Sequence, residues 1–322
     1  DLTVRPNVLV VYSGHNEFFH NLEELGIIRK MSWKMDPWFG FSPTFRVVNQ
    51  VLMKFGMGTE PPEGGKKLCG HRTASETLLA NRRQQYRKQL GRLLEWTRGQ
   101  NIKVVFCVPV SDEATFAPLR SLCESTDPQR RKAIEKTWHE VRELQQQQQW
   151  QAALTLCEDV LRDEPEFAEF LFLAGRSCRA LGGDQTESAR RYFQAARELD
   201  QFPIRTRHSY CEIGREVAAQ YDAMIVDCPA LLRAEVADGF IDDRFFLDGI
   251  HPNLQTCFVL GQAVAAAILK AEERRGPPMS VGWMTMEDCL QQRLVTAKVL
   301  ARAYRTTFEV LHRYAFFRAA TD

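Results

Sequence analysis

Three short runs of apolar, mostly β-branched residues constrain this chain more than any other feature. They are Val-Leu-Val-Val-Tyr at 8–12, Lys-Val-Val-Phe-Cys-Val-Pro at 103–109 and Ala-Met-Ile-Val-Asp at 223–227. A strand with one wet face alternates apolar and polar residues. Runs that are apolar at nearly every position predict strands covered on both faces. Amphipathic stretches at about 75–98 and 208–220 precede the second and third runs, and another at about 254–270 follows the third. Strands separated by helices of this length predict βαβ crossovers and a parallel sheet, so the expected class is α/β.

Between the first run and the helix at 75 the chain changes character. Residues 31–41 are rich in aromatic and turn residues, 45–55 have a helical pattern, and 56–65 are rich in Gly and Pro. Long elaborated loops of this kind either cover a substrate pocket or pack on the surface. A second change comes near Thr137, where charged helical residues run into Gln145–Gln149 and then an Ala/Leu-rich helix. Ala153 and Ala189 are 36 residues apart, as are Glu164 and Asp200, with Glu164-Pro165 at a turn. That period is similar to the tetratricopeptide repeat of about 34 residues, though only one and a half repeats are visible; an ordinary helical insertion fits as well. The expected organisation is a core at 1–137, a helical insertion at 138–204, a second core part at 205–275, and a linker with an amphipathic helix at 276–322. The Arg274-Arg275-Gly276-Pro277-Pro278 stretch marks the linker.

Charge excludes some functions. With 42 basic and 41 acidic residues the net charge is +1, so no sequence-wide field exists to hold nucleic acid. The basic face of the helix expected at 286–317 could meet a membrane, but it reads more naturally as a solvated face. No uninterrupted apolar run approaches the roughly 18 residues of a membrane span. The nine cysteines stand singly at 69, 107, 123, 157, 178, 211, 228, 257 and 289, which suggests buried thiols and leans toward a reducing, cytoplasmic compartment. The chain opens on Asp1 and enters a strand within a few residues, so an upstream portion is expected, and any targeting signal in it would not be read from these residues.

Two constellations carry chemistry. Gly14-His15-Asn16-Glu17 follows the first strand, placing a permissive glycine and a side-chain amide at the edge where open α/β sheets bind ligands. Asp248-Gly249-Ile250-His251 precedes the helix at 254, with Pro252 suited to its first turn. A histidine base needs one ring nitrogen held by an acceptor and the other open to a nucleophile's proton. Asp248 and His251 have the spacing for those two roles. His15, His20, Asp248 and His251 could also be weighed as metal ligands, but the five-residue gap between His15 and His20 suits no helical face, and zinc is not expected. Ser13 lies near the same edge without the marks of an exposed nucleophile.

Taken together, the two blocks resemble those of the SGNH or GDSL-type esterases and acylhydrolases, especially bacterial members whose hydrolase domain is interrupted by tetratricopeptide-like helices. The resemblance covers residues 1 to about 272, without the helical insertion. It implies a three-layer, flavodoxin-like parallel sheet and hydrolysis of esters through an acyl-serine. It also implies Asp248 and His251 as triad members, Asn16 as an oxyanion donor with Gly14 as a binding position beside it, and no metal or other cofactor. Glu17 stands where many members have Asp. The Pro109–Ser111 segment is similar to the loop that lines the family's site. The family's Gly-Asp-Ser block is absent: the one Gly-Asp, Gly183-Asp184, is followed by Gln185. The nucleophile is therefore expected upstream. The implied partner is a small ester, including acylated carbohydrates. The other function class is a non-catalytic scaffold that binds a protein partner through its helical insertion.

Overall fold

The computed structural model describes residues 6–15, 67–70, 76–123, 125, 127–201, 203–273 and 285–292. The loop at 31–41, the helical pattern at 45–55, the Gly/Pro stretch, the linker at 274–278 and most of the helix expected at 286–317 lie outside the described residues. In chain order come β1 (Val8–Tyr12), β2 (Lys67–Gly70), α1 (Glu76–Gly99), β3 (Lys103–Cys107) and β4 (Arg120–Leu122). Then follow α2 (Pro128–Gln146), α3 (Trp150–Asp163), α4 (Ala168–Leu181), α5 (Thr186–Glu198) and α6 (His208–Gln220). The last elements are β5 (Met224–Val226), α7 (Cys228–Ala234), α8 (Leu254–Glu273) and the short α9 (Met286–Gln292).

The three apolar runs form one parallel sheet in the order β1–β3–β5, so the chain is mixed α/β. Val8 pairs with Lys103 and Tyr12 with Cys107 on one side of β3, while Val105 pairs with Met224 and Cys107 with Val226 on the other. Because successive side chains of a strand point to opposite faces, β3 feeds two cores. Val104, Phe106 and Val108 pack with Tyr86, Leu90 and Leu94 of α1 and with Tyr210, Ile213 and Val217 of α6. Val105 and Cys107 face the other way, toward Leu232 of α7 and toward Leu260, Ala263, Val264, Ala267 and Ile268 of α8. Those α8 positions recur at three and four residues, one stripe of the helix. Burying a Phe or Val of this kind contributes about 1.5–3 kcal/mol, which makes β3 the anchor. Gly214 lets α6 approach it closely: a Cβ there would lie 2.5 Å from the Phe106 ring.

The Leu254–Ala271 stretch of α8, with mean hydropathy 1.5, is long and apolar enough to cross a membrane. No uninterrupted apolar run of that length exists, as expected, because Gln255, Thr256 and Gln262 interrupt this one; the segment meets the length only on its average hydropathy. One stripe of it packs on the sheet, but its residues are only partly buried, and 6 % of the segment is enclosed.

The four helices α2–α5 pack in sequence, with α4 between α3 and α5. Asp127 caps α2 by accepting from the Gln129 amide at 2.9 Å, and Pro128 occupies the first turn. Position 138, read from the sequence as the start of the insertion, falls in the middle of α2. The change of composition at Thr137 does not interrupt the buried stripe of Ile134, Val141 and Gln145. The 36-residue spacing has a structural meaning. Ala153, Cys157 and Val160 of α3 and Ala189, Phe193 and Ala196 of α5 occupy matching positions and are all buried in the core they share with α4. That core also takes in Ala114, Ala117, Cys123 and Phe240, so the helices share it with the loops of the sheet. Among the described residues seven cysteines are free, and six of them are buried.

Candidate active site

Everything with chemical promise gathers at the C-terminal edge of β1, β3 and β5. The chain leaves β1 through Gly14, whose φ of +130° and approach to Pro109 leave no room for a side chain: a Cβ would lie 2.8 Å from the proline ring. His15 Nε2 lies 2.9 Å from the Val110 carbonyl, and its ring stands 5.2 Å from that of Tyr12. Tyr86 of α1 donates to the Ser13 carbonyl at 3.3 Å, and Cys211 of α6 donates to that of Pro109 at 3.4 Å. The turn after β1 and the loop after β3 are thereby fastened to each other and to the helices beneath.

The loop after β3 also holds the second block. The Asp112 amide donates to the Gly249 carbonyl at 2.8 Å. Gly249, with φ of +85°, lies so close to the Phe116 ring that a side chain would collide with it. Ile250 packs against Phe116, Leu119 and Ile204. Within the block, Asp248 Oδ1 accepts from the amides of Ile250 at 3.1 Å and His251 at 2.8 Å. Its Oδ2 lies 2.6 Å from His251 Nδ1. The loop is closed by the Leu247 amide on the His251 carbonyl at 2.8 Å and by a bridge between Phe246 and Pro252. Asn253, not Pro252, caps α8: its Oδ1 accepts from the Thr256 amide at 3.0 Å and its Nδ2 donates to the Arg244 carbonyl at 2.7 Å. Pro252 thus precedes the helix instead of entering its first turn, because its place is taken by the bridge to Phe246.

The electrostatics follow from these contacts. The hydrogen bond to Asp248 raises the His251 imidazole above the usual 6.5, with partial burial working against it. Burial pushes the Asp248 carboxyl up, but the His251 ring and the two amides outweigh it and hold the group below 3.8. Burial lowers His15, and the nearby His251 and Arg197 lower it further, while the Val110 carbonyl opposes them. His15 and the Asp248–His251 block both rest on the loop after β3, His15 through the Val110 carbonyl and the block through the Asp112 amide. The Asp248 side chain is 5 % exposed and that of His251 69 %, with Nε2 making no hydrogen bond among the described residues. The arrangement is an oriented imidazole with one nitrogen open to an incoming proton.

Of the residues singled out in the sequence, Asp248 and His251 are in contact, Gly14 lies against Pro109 on the loop after β3 that also holds their block, and Asn16 lies outside the described residues, as does His20. Several participants were not foreseen. Asp112 accepts from the Ala114 and Thr115 amides at 3.0 and 2.8 Å and from the Thr115 hydroxyl, and burial raises its carboxyl. Glu113, buried against Arg197 at 3.0 Å and Arg233 at 2.6 Å, stays ionised because the two guanidinium groups outweigh its desolvation. Arg205 is buried with Nη1 on the Asp112 carbonyl at 3.1 Å and its guanidinium 5.3 Å from the Phe116 ring. Ser-Asp-Glu directly after a buried strand was the one available signal. Arg205 had none, since its burial depends on how the 203–207 segment returns to the sheet.

Among the described residues no group of three or more His, Cys, Asp or Glu is placed to hold a metal ion. A groove of about 530 Å³, lined by Thr97, Asn101, Lys103 and Asp222, lies at the opposite, N-terminal end of β3 and β5 and does not join the histidine pair. Comparison with protein-family models, curated proteins and solved structures yields no match for this chain.

Proposed function

We propose that this chain carries the base and its orienting carboxylate of an SGNH-type serine hydrolase that cleaves carboxylic esters. The observation that carries the reading is the 2.6 Å contact of Asp248 Oδ2 with His251 Nδ1 at the C-terminal edge of a parallel sheet, with Nε2 open. In this reading a serine hydroxyl gives its proton to Nε2 as its Oγ attacks the ester carbonyl. The imidazolium returns the proton to the leaving alcohol, and water then repeats the cycle on the acyl-serine. Asp248 fixes the tautomer and stabilises the imidazolium. The resemblance assigns Asn16, the residue after His15 in the sequence, to the oxyanion, and one such donor is worth about 3–4 kcal/mol of barrier.

The sheet supports the same reading. Strands β1, β3 and β5, adjacent and parallel in chain order, fit the last three places of a 2-1-3-4-5 sheet. Among the described residues β1 pairs with β3 alone, and Val10 is 47 % exposed on the face that α8 covers elsewhere. A strand bearing the family's Gly-Asp-Ser would pair there and bring its serine to His251. The substrate is the class the resemblance implies, a small ester, acylated carbohydrates included. A fluorophosphonate probe applied to the protein at its natural length tests this. We expect one serine to be labelled in the wild type and none in His251→Ala, with the circular dichroism of both proteins alike. Equal labelling of the two, or none in either, would remove the hydrolase reading.

A further inference from the structure

The segment that leads into the Asp248 block is held by the helices of the insertion. Phe240 is 3 % exposed and belongs to the core of α3–α5. Its ring meets Phe193 of α5 edge-on at 5.7 Å, and Phe193 meets Phe172 of α4 at 5.6 Å. The guanidinium groups of Arg179 and Arg190 lie 5.2 and 5.7 Å from the Phe240 ring. Arg179, on α4, reaches Asp238 Oδ2 through Nε at 2.9 Å and Nη2 at 2.6 Å, and Asp242 Oδ2 through Nη2 at 2.8 Å. Asp242 keeps only 6 % of its side chain exposed. Gly239 between them has φ of +68°, and a Cβ there would lie 2.9 Å from Arg190 Nη2. The positive φ is what favours glycine there, since the Arg190 guanidinium is the end of a flexible side chain that can move aside.

From this grip two short paths lead to the histidine. The Ile241 carbonyl accepts from the amides of Glu113 and Ala114 at 2.9 and 3.2 Å, and the neighbouring Asp112 amide holds the Gly249 carbonyl. Arg197 of α5 holds Glu113 directly. On the other side the Arg244 and Phe245 carbonyls accept from the side chain and backbone of Asn253. Both ends of the Asp248–His251 loop therefore rest on segments that α4 and α5 hold. An ion pair this enclosed adds little net stability, because desolvation offsets the attraction, yet it fixes geometry.

We propose that the helical insertion is a clamp acting in cis, in which Arg179 and Phe240 hold the 238–242 strap and so position Asp248 against His251. Arg179 is then a positioning residue, and the α4–α5 face around Phe240 is occupied by the chain itself. The inference concerns the geometry of the pair and holds whether or not the pair serves ester hydrolysis.

The test is an NMR titration of the His251 imidazole in the full 322-residue chain, its resonance identified by its loss in His251→Gln. The hydrogen bond that the His251 ring donates to Asp248 is the main reason this imidazole is raised, and the Asp248 charge adds to it while partial burial opposes; His15 is in turn lowered by the charges of His251 and Arg197. Arg179→Gln should lower its midpoint by about 0.5 pH unit, roughly a threefold loss of proton affinity. Asp238→Asn, which removes one acceptor at a half-exposed position, should lower it less and serves if the first variant does not fold. Arg179→Lys should restore part of the shift. Tyr192→Phe, which removes a hydrogen bond to Glu158 on α3 and does not touch the strap, should leave the midpoint unchanged. A midpoint unmoved in both Arg179→Gln and Asp238→Asn overturns the clamp. Absence of serine labelling with the shift intact would sink only the hydrolase reading.

Discussion

At Asp248 and His251 the same contact sets both charge states. The carboxylate is enclosed, and three donors hold it ionised, so it can hold the imidazole; the imidazole is exposed, so it can exchange protons with what enters. A base works only when neutral. On the proposed reading, hydrolysis should therefore rise with pH through a midpoint above 6.5, the usual histidine value that Asp248 raises. Asp248→Asn should move that midpoint down and cut kcat by about 10⁴-fold, measurable as a pH–rate profile. The signs for stability differ between the two groups. Folded His251 is raised, so its contribution is full below 6.5 and is lost as pH rises through the folded value. Folded Asp248 is depressed, so its contribution is full above 3.8 and is lost as pH falls through its folded value. Melting temperatures measured from pH 6 to 9 should therefore fall more steeply in the wild type than in His251→Gln.

Among elements, the close approaches matter most. Gly249 combines a positive φ with contact to Phe116, so Gly249→Ala should cost about 1–3 kcal/mol from backbone strain alone. Urea unfolding would register the loss, and the displaced loop should also weaken the Asp248 contact. Gly214→Ala tests the α6–β3 contact. Alanine favours an exposed helix interior by up to about 1 kcal/mol, but here its methyl meets Phe106. Overpacking of about 1–3 kcal/mol should win and lower the melting temperature. An unchanged or higher melting temperature would mean that α6 can shift away from the strand.

For the molecule as a whole, the shared core argues against two independent units. Phe240 lies outside α2–α5 in sequence yet inside their core, and Ala114 and Ala117 of the loop after β3 join it. Phe240→Ala should remove about 3–5 kcal/mol, and its unfolding should stay a single transition. Tryptophan fluorescence, to which Trp138 and Trp150 in the helices and Trp96 on α1 contribute among the six tryptophans of the chain, should coincide with far-UV circular dichroism. Two separated transitions would show that the helices and the sheet unfold independently.

Local pattern carried the sheet and its helices. Runs apolar at nearly every position predicted the strands, and the bounds expected for β1 and α6 coincide with those observed; coverage on both faces holds for β3, whereas β1 and β5 are edge strands among the described residues, with Val10 47 % and Ile225 39 % exposed. The Asp248–His251 contact was legible for the same reason, since both partners lie within one turn of chain. The helical spacing of Ala153 and Ala189 was legible too, whereas the start of α2 was not, because helix boundaries follow caps such as Asp127 more than composition. What only the tertiary structure decided are the pairings across long separations: His15 with Val110, Arg205 with Asp112, and Arg179 with Asp238 and Asp242. An arginine that will be buried reads in sequence like any solvated one. Its partner is fixed only when strands and helices bring distant loops to one edge, and at that edge the oriented histidine and the strap that bears it come together.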